Sequence, residues 1–476
     1  MTTLLWLRDD LRTHDHEALT AAVEDGADVV ALWIREEPGE ADDGGRLGPR
    51  PLGAAVRWWY HRSLEQLSVR LEALGIPLVF ASGDARSVVP ELAGSLGAGT
   101  VRWSRRYAPR SRSLDAEVKT LLGAAGVEAH SHAGALLTEP WTVTTAAGGN
   151  YRVFTPFHRA AAQIPVGTPL PAPEPLGGPP HDLLARLARL HDDGALTSLT
   201  DLALADTSPA WWEDTVAGHW APGEPAAVEE LEAIEAGVGG YAETRDMPGD
   251  RESTSRLSPR LRSGELSPRQ VLTAAHAADV PDQDRAAFVR QLYWRDFAWS
   301  LTYHHPDLDR MPLRPEFRAF PYAPDEDTLR AWARGRTGIR LVDAGMRQLW
   351  QTGWMHNRVR MAAASLLVKN LLQPWQDGEA WFWDTLVDAD EANNPVSWQW
   401  VAGCGADASP YFRIFNPDTQ AKRFDPEGVY VARWVPEADS PLSGYPEPVV
   451  DLRQSRAEAL AALDVMKERA STQGLA

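Results

Sequence analysis

The chain runs to 476 residues, 44% of them hydrophobic, with a formal net charge of −19 and a sequence pI near 5.1. This exceeds one typical domain, so two or three units with real cores are expected, and so acidic an average speaks for a solvated surface and against a nucleic-acid partner. The single cysteine, Cys404, excludes a disulfide framework or a cysteine-rich metal site and suits a reducing compartment; with no secretory-type N-terminus and no apolar run near the ~18 residues of a bilayer span, a soluble cytoplasmic protein is expected.

Thr3 to Leu7 and Val29 to Ile34 are short apolar runs beside helix-like stretches such as Glu17 to Glu24. Pro77 to Ala81 follows the amphipathic Trp58 to Leu74, and Thr100 to Trp103 continues the alternation. Strands alternating with helices predict a parallel α/β sheet over residues 1–130. Residues 131–226 read as an interdomain connector, because from Pro165 to Pro225 the sequence thickens in Pro, Gly, Asp and Ser, a composition of turns and linkers. From Val228 onward the periodicity is helical, so residues 227–476 are expected to form an all-α domain.

Near the start of that domain, Gly237-Val-Gly-Gly-Tyr-Ala242 satisfies the loose G-x-G-x-x-A pattern of a dinucleotide-binding turn. That pattern needs a preceding strand, and the acidic helical run Glu229 to Ala236 stands there instead, so a helix C-cap at Gly237 is expected. Beyond it, Ser253-Thr254-Ser255-Arg256-Leu257-Ser258-Pro259 sets hydroxyls and backbone amides ahead of a helix start. N–H dipoles there can hold a phosphate or pyrophosphate, although the same residues also serve as ordinary caps.

Between Leu329 and Leu372 the acidic average reverses: Arg330, Arg334, Arg336, Arg340, Arg347, Arg358, Arg360 and Lys369 stand against one acid, Asp343. This is either a focused basic patch or a set of solvated helix faces. The stretch contains the first of two polar-aromatic blocks, Thr352 to Met361 and Asp388 to Trp400, where Asn, His, Arg and Asp interleave with Trp and Met. Neither has the spacing of an ordinary core face, and the mixture suits a large, flat, partly polar ligand. His130, His132, His304 and His305 lack partners at ligand spacing, so no metal site is expected.

Leu5-Trp-Leu-Arg-Asp-Asp-Leu-Arg12, Gly240 to Leu261, Phe288 to Phe297, Trp354 to Met361, Asp388 to Trp400 and Pro410 to Pro417 occur in this order. With these motifs the chain resembles the photolyase and cryptochrome family over nearly its whole length outside the Pro-rich stretch, most closely the class I cyclobutane pyrimidine dimer photolyases. The resemblance implies an N-terminal α/β domain able to hold an antenna chromophore and a helical domain holding FAD folded into a U shape. Tyr241, Thr254, Ser255, Arg256, Leu257 and Ser258 would line the FAD phosphates and ribityl chain, with Phe288 nearby. Arg360, Asp388, Asp390 and Asn394 would surround the isoalloxazine, with Arg360 and Asp388 as a buried ion pair and Asn394 facing flavin N5. Plant-type cryptochromes place Asp at that last position and the animal type Cys, so Asn favours a repair enzyme, which must keep fully reduced flavin.

The implied partner is damaged DNA, whose pyrimidine dimer flips cheaply into an aromatic-walled pocket. Trp294 and Trp400 would be the walls, Gln291, Asn357 and Met361 the dimer's neighbours, and Arg245, Arg295 and Arg413 or Gln420 the contacts to phosphates or to the dimer's flank. Photoreduction would run through Trp398 and Trp375 to Tyr322. Two positions depart from the family pattern: Gln291 stands where most dimer photolyases carry Glu, and Tyr322 where the outermost tryptophan is usual. Gln at the former position is also common in the branch acting on 6-4 lesions, but that branch places paired histidines where His356 stands alone here. For the antenna, Ala108-Pro109 replaces the Asn-Glu of folate binders, while Arg57-Trp-Trp-Tyr-His-Arg-Ser-Leu64 is similar to enzymes holding 8-hydroxy-5-deazaflavin, which is therefore expected over folate, with an empty or flavin-filled site as the next alternative. The alternative is a cryptochrome-type blue-light sensor, kept open by Gln291 and Tyr322. No protein partner is evident and a monomer is expected.

Overall fold

A computed structural model describes residues 2–36, 49–205, 210–237, 239–250, 254–407, 412–438 and 444–475. Ser253, Pro410 and Tyr411 of the sequence motifs lie outside the described residues.

The N-terminal third forms a five-stranded, all-parallel sheet of β1 (Thr2–Leu7), β2 (Asp28–Glu36), β3 (Leu78–Gly83), β4 (Ala98–Ser104) and β5 (Glu128–His132) in the order β3-β2-β1-β4-β5. All six residues of β1 are buried, as a central parallel strand covered on both faces demands. One face carries α1 (Glu17–Glu24) and α2 (Ala54–Ala73); the other packs α3 (Ala85–Leu96) and α4 (Pro109–Ala124). The chain fills one side of β1 with β2 and β3, then returns to place β4 on its other side. In such a sheet the crevice beyond the carboxyl ends of the strands flanking that reversal is where ligands bind.

The segment expected to be a connector is more structured than its composition suggested. Pro165 to Pro180 indeed carry neither helix nor strand, but α5 (Phe154–Ala161), α6 (His181–Asp192) and α7 (Ala210–Ala217) form within residues 131–226. Leu183 and Leu187 of α6 join the core under β4, and Phe154 and Phe157 of α5 join the core of the helical region. Helices α5 and α6 each bury apolar residues three or four apart on one side, and burying that stripe outweighs the proline-rich surroundings.

The remainder is helical: α8 (Glu224–Ala236), α9 (Tyr241–Thr244), α10 (Ser258–Ser263), α11 (Pro268–Ala277), α12 (Asp282–His304), α13 (Glu326–Ala333), α14 (Arg340–Thr352), α15 (Asn357–Ser365), α16 (Trp375–Thr385), α17 (Asn393–Ala402), α18 (Pro417–Phe424), α19 (Val429–Trp434) and α20 (Leu452–Thr472). Gly237 ends α8 with its amide on the carbonyls of Ala233 and Ile234 at 3.3 and 3.1 Å, so the glycine pattern there is a helix terminus. Among the described residues no helix is long and apolar enough to cross a membrane.

The two regions share core and charge. Trp354 and Val387 pack into the cluster beneath α2, Glu224 accepts from the Thr13 and His14 amides, both at 2.9 Å, and Arg269 pairs with Asp15. The arginine-rich stretch does not form a single patch. Arg347 pairs with Glu437, Arg358 with Asp246 and Arg360 with Asp388, while Lys369 is 0% exposed, its ammonium 3.2 Å from the Phe412 ring centre. Burial pulls the Lys369 pKa down to about 7.

Candidate functional site

The polar centre is built where α10, α15 and the turn before α17 meet. Arg360, one turn into α15, donates through both terminal nitrogens to Asp388 at 3.0 and 2.8 Å, and its Nε donates to the Met355 carbonyl at 2.6 Å. This two-pronged contact fixes the carboxylate plane. Ser258 at the start of α10 donates to the same carboxylate at 2.6 Å and accepts from the Trp354 indole at 3.3 Å. Asp390 takes the backbone amides of Ala392 (2.8 Å) and Asn393 and the Asn393 side-chain amide (2.7 Å). It thereby satisfies donors at the start of α17, so Asp390 shapes the turn that carries Asp388.

Asn394 is buried in the first turn of α17, and its Nδ2 donates to the Glu379 carboxylate at 2.8 Å and to the Glu379 carbonyl at 3.1 Å. Both partners only accept, which fixes the amide orientation: nitrogen toward Glu379, Oδ1 away. The side chain therefore presents an acceptor alone, whereas a neutral amide free to turn would offer both roles. The Glu379 carboxyl, pushed upward by burial, is opposed by Arg50, which holds it at 2.6 and 2.9 Å.

A flavin dinucleotide fits this donor set. Arg256 has φ of +55° and Leu257 follows at φ −75°, ψ −2°; a left-handed residue followed by a right-handed one turns successive N–H groups toward one concavity, an anion-binding nest. Arg256 lies over the Trp220 ring at 4.2 Å, and Thr254 and Ser255 are half-buried beside it. Tyr241 meets Phe288 edge-on at 5.3 Å. The nest suits a pyrophosphate, and the Arg360–Asp388 pair with the Asn394 carbonyl suits a polar ring edge.

The two tryptophans expected to form walls, Trp294 and Trp400, are held differently from one another. Trp294 of α12 lies flat on Phe154 of α5, centroids 3.6 Å apart and planes 6° off parallel, and Phe154 stacks in turn on His158. Phe154 went unnoticed in the sequence because it sits in the supposed connector. Trp400 stacks loosely on Phe415 at 6.0 Å. Asn357 is exposed at the start of α15, Met361 is half-buried on the same helix, and Gln291 donates to the Ala287 carbonyl at 2.9 Å, leaving its oxygen as an acceptor. Arg413 is exposed and Gln420 half-buried, while Arg245 lies 5.6 Å over Tyr241. Arg295 departs from expectation. Its guanidinium donates to the carbonyls of Ala135 (2.6 Å) and Leu261 (3.3 Å) and lines a small cavity beside Asp390, because the residue after Trp294 points about 100° round the helix from it.

Trp398 is buried in the same core cluster as Trp375 and meets Phe382 at 5.0 Å and Trp332 at 6.0 Å. A Cβ on Gly378 would lie 2.1 Å from its ring, so α16 approaches only because that position is glycine. Trp332, not anticipated from sequence, is an indole in contact with Trp398. Tyr322 packs at the edge of that core, 4.8 Å from Phe320, with its phenol pKa raised by burial.

Two cavities open at the carboxyl ends of the strands. The smaller, about 40 Å³, lies between Arg8, Asp9, Arg106, Trp299 and Asp390. The larger, about 360 Å³, is walled by Asp9, Trp33, Arg57, Tyr60, Arg50 and Trp383 among others. Glu391 borders both, its carboxyl pushed up to about 7 by burial and by Asp9. Arg57 and Tyr60 belong to the segment that the sequence associated with an antenna.

Residues 3–175 match a family model described as DNA photolyase, and residues 288–443 one described as the FAD binding domain of DNA photolyase. A deoxyribodipyrimidine photo-lyase of Agrobacterium fabrum is 42% identical over 98% of each chain. Cryptochrome-1 of Arabidopsis thaliana is 33% identical over 98% of this chain and 70% of its own. The crystal structure of a class III photolyase from Agrobacterium tumefaciens superposes with TM-score 0.89 at 41% identity, covering 98% of both chains. An archaeal photolyase from Sulfolobus tokodaii, described with two FAD molecules, gives TM-score 0.80 at 26% identity over 98% of this chain and all of its own. The sequence motifs suggested class I, whereas the structural relative at 41% identity is of class III. A nest for pyrophosphate, an ion pair beside an oriented amide, and full-length likeness to enzymes of this kind converge: the chain belongs to the photolyase and cryptochrome family of FAD-binding proteins.

Proposed function

We propose that the protein repairs cyclobutane pyrimidine dimers in DNA in a light-driven reaction, working in the cytoplasm as a monomer. The observation that carries this is the Asn394 amide, whose nitrogen is committed to Glu379 at 2.8 and 3.1 Å. A carbonyl facing flavin N5 would accept from N5–H, which the oxidised ring lacks, so the side chain would favour reduced flavin, the state a repair enzyme needs. Reduced FAD, once bound and excited, supplies the electron that splits the cyclobutane ring and receives it back.

The chain's own residues bind, orient and exclude water. Arg256, Leu257 and Ser258 would hold the pyrophosphate and ribityl chain, with Tyr241, Thr254, Ser255 and Phe288 around them, and Arg360 with Asp388 would fix the isoalloxazine edge. Trp294 and Trp400 would stack against the flipped dimer, Asn357 and Gln291 would read its carbonyl edge beside Met361, and Arg245, Arg413 and Gln420 would grip the strand. Arg295, committed to two carbonyls, would act by bracing α12. Gln291 would hydrogen-bond the dimer without the charge of a Glu. Trp398, Trp375 and Tyr322 would return the flavin to its reduced state by successive electron transfer. The 360 Å³ cavity would take an antenna, 8-hydroxy-5-deazaflavin in preference to folate.

Illuminating the reduced holoprotein with a dimer-bearing oligonucleotide should remove dimers in proportion to absorbed light. DNA binding without light-dependent repair would instead support the sensor alternative, which the likeness to Cryptochrome-1 over 98% of this chain keeps in view.

A further inference from the structure

We infer that Arg50, contributed from the α/β side of the molecule, is a positioning residue for the flavin site: its contact with Glu379 holds the Asn394 amide with its carbonyl turned toward the flavin. The inference rests on the reading of Asn394 as the neighbour of flavin N5.

Three contacts in series carry it. The Arg50 guanidinium meets both carboxylate oxygens of Glu379 at 2.6 and 2.9 Å. Glu379, 4% exposed, receives Asn394 Nδ2 on Oε1 at 2.8 Å and on its own carbonyl at 3.1 Å. The backbone carbonyl accepts at either charge, so the variable in the orientation of Asn394 is whether the Glu379 carboxyl remains an acceptor. As a carboxylate it can only accept; once protonated it can donate to Asn394 Oδ1, allowing the amide to turn and offer N–H toward the flavin. Burial and the nearby Asp309 both push Glu379 toward its protonated form, and Arg50 with the Asn394 hydrogen bond opposes them. Among the described residues, removing Arg50 removes the cation that opposes protonation of Glu379.

Arg50 is itself built in. Its guanidinium lies 4.0 Å over the Trp383 ring, the Trp383 indole donates to the Pro51 carbonyl at 2.9 Å, and the Ala54 amide donates to Asp384 at 2.9 Å. A Cβ on Gly53 would fall 2.0 Å from the Trp383 carbonyl oxygen, so residues 50–54 lie directly against α16, the helix that carries Glu379. A lysine could supply charge here, but not the two-pronged contact.

The test uses FAD-loaded Arg50→Met, Arg50→Lys and Asn394→Ala, with the ratio of oxidised to reduced flavin read spectroscopically at fixed electrode potential between pH 6 and pH 9. Arg50→Met should shift the ratio at least ten-fold toward oxidised flavin, about 30 mV for a two-electron couple, and the shift should grow as pH falls and Glu379 takes its proton. Arg50→Lys should shift it less, in the same direction, which keeps the test decisive if the Met variant does not load FAD. In Glu379→Gln the additional pH dependence should vanish whichever residue stands at position 50. A loaded variant at position 50 that melts earlier but keeps the wild-type ratio, while Asn394→Ala shifts it, overturns the role of Arg50 alone. An unchanged ratio in Asn394→Ala overturns the placement of Asn394, and the inference with it.

Discussion

Replacing Phe154 by Leu isolates the backing of the Trp294 wall. Phe154 is 0% exposed and its ring lies 3.6 Å from that of Trp294, 6° from parallel, so the pair holds the indole plane before any substrate arrives. Leu conserves most of the volume, and such exchanges cost under ~1.5 kcal/mol of stability. The stack is worth about 0.5–1.5 kcal/mol beyond buried area, or roughly two- to twelve-fold in a binding constant. Losing it should therefore weaken binding of a dimer-bearing oligonucleotide by about that factor, because the freed indole must be ordered by the flipped bases. Undamaged strand, gripped through its phosphates, should be nearly unaffected. Trp294→Ala sets the upper limit, since one base–aromatic stack is worth ~1–3 kcal/mol. Fluorescence anisotropy with paired damaged and undamaged probes measures both constants. If Phe154→Leu and Trp294→Ala weaken the two probes equally, Trp294 is a packing residue and the flipped-base pocket is wrong.

Tyr322 should end the photoreduction chain as a tyrosyl radical formed faster at higher pH, because oxidised tyrosine must shed its proton and burial opposes ionisation; a long-lived neutral tryptophanyl radical surviving Trp350→Phe and Trp299→Phe without a tyrosyl signal in transient absorption would refute this. Arg360→Met leaves the Asp388 carboxylate, 3% exposed, with only the Ser258 hydroxyl as a side-chain partner among the described residues, whereas Asp388→Asn leaves Arg360 at 24% exposure where water can reach it. An uncompensated buried charge costs about 3 kcal/mol or more, so the arginine variant should melt several degrees lower than the Asp388→Asn variant, and the reverse order by calorimetry would contradict the assignment. His356 donates from Nε2 to the Arg245 carbonyl at 3.0 Å and accepts the Arg358 amide on Nδ1 at 3.2 Å, and burial pulls its pKa to about 4. The unfolded chain, with His near ~6.5, binds that proton first. Stability should thus be intact above about pH 6.5 and decline toward pH 4, with a shallower decline for His356→Gln in denaturant titrations at pH 7 and pH 5.

What the sequence made legible follows from the range of the interactions involved. The sheet could be read from apolar runs because each strand's burial is written in its own residues. The flavin-site groups could be read because family motifs mark residues expected to touch the ligand, and Arg360 and Asp388, 28 positions apart, do meet. The proline-rich stretch misled because composition averages over a window, whereas Phe154 and Phe157, or Leu183 and Leu187, need only one helical stripe each to be buried. The count of arginines could not decide between a patch and solvated faces for a related reason: the acids that meet Arg347, Arg358 and Arg360, namely Glu437, Asp246 and Asp388, lie far along the chain, while Arg330, Arg334 and Arg336 stand exposed.

The residues the sequence could not supply share one property. Phe154 behind Trp294, and Arg50 and Glu379 behind Asn394, each act on a group that would touch flavin or DNA without touching either themselves. Arg50 lies 329 positions from Glu379, and the nearby Arg57 to Leu64 pointed to an antenna, not to the FAD site. Such support can come from whichever segment the fold brings close, so no fixed spacing encodes it. It nevertheless decides whether an indole stands as a rigid wall and which end of an amide faces outward. Two family members with identical ligand-facing residues can therefore differ in dimer affinity or flavin potential through positions like 50 and 154, and exchanging those positions alone between such members should carry the difference with them.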